Sequence, residues 1–137
     1  MPPTPTPTDR LLISANTTVA GREVRLMNTH LLAFFMLKSS SEEHRQQRDL
    51  VEQELRRLDM PTLLTGDFNV SKHESLVQQF ATAGYKTAQN QEITWRRRPY
   101  VLDHIFYNHW LRPVGWEVKP TMSSDHHALT AEMEFAR

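Results

Sequence analysis

The sequence predicts an α/β domain with mixed strand pairing, and three observations carry that expectation. Strand-like stretches come first as a pair, DRLLISANTTV from Asp9 to Val19 and REVRLMNTHLL from Arg22 to Leu32, which reads as a hairpin. Two segments with helical spacing, beginning near Ser41 and Ser75, then bracket a short apolar run at Thr62 to Val70. The remainder returns to strand-like alternation, so the order is strand, strand, helix, strand, helix, then several strands.

The leading MPPTPTPT alternates proline with threonine, which removes backbone donors and favours extended chain, so residues 1–9 read as a flexible lead and 10–137 as the domain. In the first strand pair, Val24, Leu26 and Asn28 are expected to share one face against Glu23, Arg25 and Met27, with a turn at Ala20-Gly21. Ser41 is the expected N-cap of the first helix, Glu42 and Glu43 oppose the dipole in its first turn, and Arg56 and Arg57 sit at its end. Leu50, Val51, Leu55 and Leu58 form its expected apolar stripe, and Pro61 closes it. TLLTGDFNV, Thr62 to Val70, is a short buried strand that ends in polar residues. SLVQQFATAG, Ser75 to Gly84, places Leu76, Val77, Phe80 and Ala83 at helical spacing with a glycine stop. EITW, the basic loop RRRPY and the strand VLDHIFYN follow, and GWEVKP and ALTAEMEF complete the series.

Composition narrows the function classes. Sixteen Lys and Arg balance sixteen Asp and Glu, so polyanion binding would need a local patch rather than an overall basic excess. The chain has no cysteine, which leaves oxygen and imidazole as the donors for any metal. No window is long and apolar enough for a membrane span, so the chain reads as soluble and, by default, cytoplasmic.

Candidate chemistry begins in GDFN. Side chains alternate along a strand, so Asp67 and Asn69 share one face and Phe68 takes the other. Two oxygens side by side suit a hard cation such as Mg²⁺ or Mn²⁺; taken alone, the tetrapeptide reads equally well as a turn. SSDHHALT sets Asp125 beside His126, a carboxylate next to a group that moves protons near neutral pH. His30 closes the NTHLL strand, and Asp103 lies inside VLDHIF, where a buried carboxylate calls for a partner such as an imidazolium. His44, His73, His104, His109 and His127 read as surface or packing residues, and so do Met27, Met36, Met122 and Met133. Trp95, Tyr100 and Trp110 read as core aromatics that could alternatively stack on bases.

NTHL, GDFN, LDHIF and SDHH, in this order and each at a strand end, resemble the motif series of the endonuclease/exonuclease/phosphatase superfamily, the DNase-I-like phosphoesterases. The helix HRQQRDLVEQEL before GDFN and the ITW step before LDHIF fit the same pattern. The resemblance implies a four-layer α/β/β/α sandwich and a Mg²⁺- or Mn²⁺-dependent hydrolase of phosphodiesters or phosphomonoesters, of nuclease or phosphatase type. It implies that Asp67 acts on the attacking water, that Asn69 helps hold the water or a metal, and that Asp125 is a metal ligand. It further implies that His126 is the acid or base, oriented by Asp103, and that His30 stabilises charge on the phosphoryl oxygens. Arg96, Arg97 and Arg98 read as a solvated loop that could also contact the phosphate-ester substrate, nucleic acid included.

The resemblance implies an asparagine on a leading strand and a metal-binding glutamate well upstream of the NTHL motif; only Met1 to Thr29 precede His30 here, and the Pro/Thr lead supplies neither. The chain is therefore expected to be the C-terminal portion of the domain, truncated at its N-terminal side, with a partial metal shell and an open sheet face. A truncated gene, a separately expressed fragment and an atypical compact member all fit that departure, and a homodimer covering the exposed sheet is one hypothesis that follows. The alternative function is a non-catalytic interaction domain that keeps the fold.

Overall fold

The computed structural model describes residues 12–31, 41–68, 73–88, 93–94 and 101–136, the side chains of 41–45 and 73 excepted. The Pro/Thr lead, Met36, His44, Asn69, Trp95, Arg96 to Arg98 and Tyr100, together with the capping side chains at Ser41 to Glu43, lie outside the described residues or side chains.

β1 (Leu12–Val19) and β2 (Arg22–His30) pair antiparallel through a turn whose two central residues, Ala20 and Gly21, both have positive φ, 50° and 78°. That is the turn whose twist matches a tight hairpin. α1 (Ser41–Arg56) then crosses to β3 (Thr62–Asp67), which pairs parallel with β2. α2 (His73–Thr82) leads to the two-residue β4 (Lys86–Thr87), which the sequence reading does not anticipate. β5 (Asp103–Tyr107) inserts antiparallel between β3 and β4, completing a five-stranded mixed sheet of order β1-β2-β3-β5-β4. β6 (Leu111–Lys119) and β7 (Ala128–Phe135) form a separate antiparallel pair with an irregularity between Pro113 and Gly115.

Both helices pack on one face of the large sheet. Val51 and Leu55 from α1 and Leu76 and Phe80 from α2 bury against Met27, Leu64, Phe68 and Phe106. Each such side chain contributes roughly 1.5–3 kcal/mol of transfer free energy. Phe68, Phe80 and Phe106 meet edge to face, with centroids 4.9–5.8 Å apart. At the solvent side of the helix pair, the Gln79 amide donates to Asp49 and Glu52 and accepts from Arg48 Nε.

β6 and β7 lie over the opposite face. Leu129 lines the same cleft as Ile105, and the Arg22 guanidinium stacks 4.1 Å from the ring centre of Phe135. Among the described residues the layers are therefore helix, sheet, sheet. This is the α/β sandwich of the DNase-I-like fold that the motif series implies, with three of its four layers represented in the described residues.

Three expectations need correction. The side chains on β2 alternate as expected and Met27 packs in the core, but the Val24 face is unevenly covered: Val24 is buried whereas Leu26 is 42% exposed. Leu50 is 65% exposed, since it sits on the flank of the α1 stripe that Val51 and Leu55 occupy. Met122 is 85% exposed in the segment between β6 and β7, with no packing role.

Candidate active site

Register delivers the site. In the parallel β2–β3 pair His30 lies opposite Asp67, and in the antiparallel β3–β5 pair Asp67 lies opposite Asp103. Three neighbouring strands thus present His30, Asp67 and Asp103 in a row at one end of the sheet. Side-chain alternation sends them to the face opposite the helices, while Phe68 and His104 turn into the core. His104 is 2% exposed and stacks on Phe106 at 5.2 Å, a packing role.

Gly66 makes the close approach of β2 and β3 feasible. Its φ is +149°, and a methyl group there would lie 1.8 Å from the Thr29 carbonyl oxygen. The glycine of GDFN is therefore a requirement of backbone contact one residue before the carboxylate.

The segment between β6 and β7 supplies the other half of the site. Ser124 Oγ accepts the His126 N–H at 3.1 Å, Thr121 Oγ1 accepts the Ser123 N–H at 3.1 Å, and the Thr121 N–H donates to His127 Nδ1 at 3.4 Å. These local bonds aim His126 back at the row of strand ends. Its Nδ1 lies 2.7 Å from Asp103 Oδ2 and its Nε2 lies 3.4 Å from Asp67 Oδ2. A carboxylate accepts, so Nδ1 carries the proton of the short bond and Nε2 is the ring nitrogen turned toward Asp67. His30 Nε2 approaches the same Asp67 oxygen at 3.5 Å.

The electrostatics follow from this placement. Asp67 and Asp103 face each other across a strand pair, an arrangement that costs free energy unless a cation lies between them. His126 fills that position. Partial burial by itself would lower its pKa, but the hydrogen bond and charge of Asp103, together with the charges of Asp67 and Asp125, outweigh burial and hold it above its ordinary value.

Of the residues read from the sequence, His30, Asp67, Asp103 and His126 converge, Asp125 sits close enough for its charge to act on His126, and Asn69 and Arg96 to Arg98 lie outside the described residues. Asp67, Asp103 and His126 each place a ligand atom within 4.8 Å of the others, so this trio, rather than Asp125, forms the tightest metal-capable group among the described residues. Asp103 makes the short 2.7 Å contact with His126, whereas Asp67 meets His126 and His30 only at 3.4 and 3.5 Å, which makes Asp67 the carboxylate of this group better placed to turn to a hard cation. The donor set fits such an ion as a partial oxygen shell.

A cleft of about 500 Å³ opens beside these residues, lined by His30, Asp67, Asp103, Asn28, His127 and Leu129 among others. His127, which the sequence marks as the exception among the surface or packing histidines because it adjoins His126, is part of the cleft wall. Thr94 is fully buried and touches both halves of the site: its Oγ1 accepts the N–H groups of Leu102 and Asp103 at 2.9 and 3.0 Å, and its carbonyl accepts the His127 N–H at 2.7 Å. The ITW step marks this residue in the sequence, but no spacing reveals the contacts it makes.

Comparison with known proteins is consistent with this geometry. The sequence matches the model of the Endonuclease/Exonuclease/phosphatase family over residues 4–126. No curated protein matches the chain. Solved structures similar in fold include Danio rerio TDP2 complexed with a single-strand DNA product, 21% identical with a TM-score of 0.72 over 95% of this chain and 64% of that one. The human Nocturnin catalytic domain with bound sulfate is 22% identical, with a TM-score of 0.69 over 95% of this chain and 61% of that one. The mannosyl-6-phosphatase of Bacteroides thetaiotaomicron is 19% identical, with a TM-score of 0.67 over 85% of this chain and 53% of that one. The chain thus spans between half and two thirds of the length of these structures.

Proposed function

Because this chain belongs to the endonuclease/exonuclease/phosphatase family, we propose that it is a divalent-metal-dependent phosphoesterase in which water attacks a phosphodiester or phosphomonoester in line. The observation that carries this reading is the bridge formed by one imidazole, His126, between Asp103 and Asp67 at three adjoining strand ends.

In this reading Asp67 accepts the proton of the attacking water, and Asn69 holds that water in line with the leaving oxygen. Asp103 holds His126 by Nδ1–H, so that Nε2 faces the substrate, where it donates to a phosphoryl oxygen as the imidazolium and accepts a proton as the neutral ring. His30 adds positive charge or a donor where negative charge grows on the phosphoryl oxygens. A bound Mg²⁺ or Mn²⁺ would neutralise that charge, and Asp67, Asn69 and Asp125 are the residues that would hold it. Arg96, Arg97 and Arg98 are proposed as backbone phosphate contacts should the ester be a nucleic acid. The similar structures include a phosphatase and a protein bound to DNA product, so both a monoester and a diester are candidate substrates.

The test is hydrolysis of plasmid DNA, bis-p-nitrophenyl phosphate and p-nitrophenyl phosphate with Mg²⁺ or Mn²⁺, with Asp67→Ala as control. Metal-dependent release that disappears in the variant supports the proposal, and the preferred ester assigns the subclass. Absence of turnover on all three favours the non-catalytic alternative.

A further inference from the structure

We propose that Thr94 is a positioning residue that sets the Asp103–His126 contact. The inference rests on the phosphoesterase reading for its consequence in catalysis, while its structural content stands on the hydrogen bonds alone. Asp103 belongs to β5 and His126 to the segment between β6 and β7, and 22 residues separate them in the sequence. Among the described residues the large sheet and the β6–β7 pair are separate sheets. Thr94 spans that gap with one side-chain oxygen and one carbonyl.

The Oγ1 receives the N–H groups of Leu102 and Asp103, which fixes the backbone from which the Asp103 carboxylate projects. The carbonyl receives the N–H of His127, which fixes the backbone one residue beyond His126. Thr94 is 0% exposed, so water does not readily replace either set of bonds. A single rigid, β-branched residue therefore anchors both ends of the 2.7 Å contact between Asp103 Oδ2 and His126 Nδ1. Threonine suits the task because its hydroxyl oxygen accepts two N–H donors at once.

The chemical consequence is a choice of tautomer. With Asp103 in place, neutral His126 carries its proton on Nδ1; once the carboxylate is displaced, the proton moves toward Nε2 and the ring loses its acceptor in the cleft. The decisive variants are Thr94→Val, which keeps the shape and removes the oxygen, and Thr94→Ser, which keeps the oxygen and removes a methyl.

The test is ring ¹⁵N NMR of His126 at a pH above its titration, read through its carbon-bound ring protons, in wild type, Thr94→Val, Thr94→Ser and Asp103→Ala. Wild type and Thr94→Ser are expected to hold the Nδ1–H form, whereas Thr94→Val shifts toward the Nε2–H form seen in Asp103→Ala. In a chain that turns over substrate, Thr94→Val lowers kcat by up to about a hundredfold with KM held. The proposal is overturned if Thr94→Val keeps the wild-type tautomer, if folded Thr94→Ser loses it, or if wild type itself is Nε2–H. Should Thr94→Val fail to fold, the Ser variant decides by the same criterion. Loss of the phosphoesterase reading would show separately, as wild type without turnover but with the tautomer pattern intact.

Discussion

His126 Nδ1 lies 2.7 Å from Asp103 Oδ2, and the two residues reach each other from β5 and from the segment between β6 and β7. The contact fixes which ring nitrogen faces the cleft, so replacing Asp103 by Asn removes the charge that favours the imidazolium and loosens the tautomer. We expect Asp103→Asn to lower turnover by roughly 10²–10⁴-fold, the range for loss of a positioned acid or base. Initial-rate measurements on bis-p-nitrophenyl phosphate check this, and an unchanged rate would remove Asp103 from the orienting role.

The same contact makes stability depend on pH. The folded-state pKa of His126 stands above its ordinary value of 6.5, so the stability it contributes is fully present below 6.5 and is lost as pH rises through the folded value. Asp103, Asp67 and Asp125 are the groups that raise it, and His30 lies against the same Asp67 oxygen. Melting temperatures of the metal-free protein, measured from below pH 6.5 upward, are expected to fall across this window and to fall less in Asp103→Asn.

Gly66 is the most demanding backbone position of the site. Adding a methyl forces apart β2 and β3 where a Cβ would lie 1.8 Å from the Thr29 carbonyl oxygen, at a φ that other residues rarely adopt. Overpacking costs about 1–3 kcal/mol and the backbone strain about as much again. Thermal denaturation of Gly66→Ala is expected to show a large loss of stability, and a melting temperature equal to wild type would contradict the close approach.

Phe68 couples core to site, being fully buried among Phe80, His104 and Phe106 and directly following Asp67. Phe68→Ala is expected to cost about 3–5 kcal/mol in urea unfolding. A loss under 1 kcal/mol would mean that this cluster is not the centre of the fold.

Ile13 and Leu26 remain 60% and 42% exposed on the first two strands. If a second copy covers them, sedimentation will show concentration-dependent association that Ile13→Lys weakens; a wild-type monomer at high concentration would rule the homodimer out.

Local chemistry made much of this architecture readable in the sequence. The Ala20-Gly21 turn, the glycine stop at Gly84, the Leu76/Phe80 spacing and the alternation in LDHIF each specify their element without help from distant residues. Alternation on β2 was legible, but Leu26 and Met27 are equally apolar, and only the position of α1 decides which of the two is buried. The two-residue β4 is too short to leave a periodic signal and exists because β5 offers it an edge. At the site, residue types suggested His30, Asp67, Asp103 and His126, whereas their convergence depends on strand register. Thr94 acts through backbone bonds to residues far along the chain, which no local pattern encodes.

In the proposed function the His126 bridge between Asp103 and Asp67 is the working corner of a metal-dependent phosphoesterase. The most direct measurement is the rate of bis-p-nitrophenyl phosphate hydrolysis with and without Mg²⁺ for wild type, Asp67→Ala and His126→Gln. Release is expected to require the metal and to be lost in both variants. Hydrolysis that persists in either variant, or that is indifferent to metal, would contradict the proposed function.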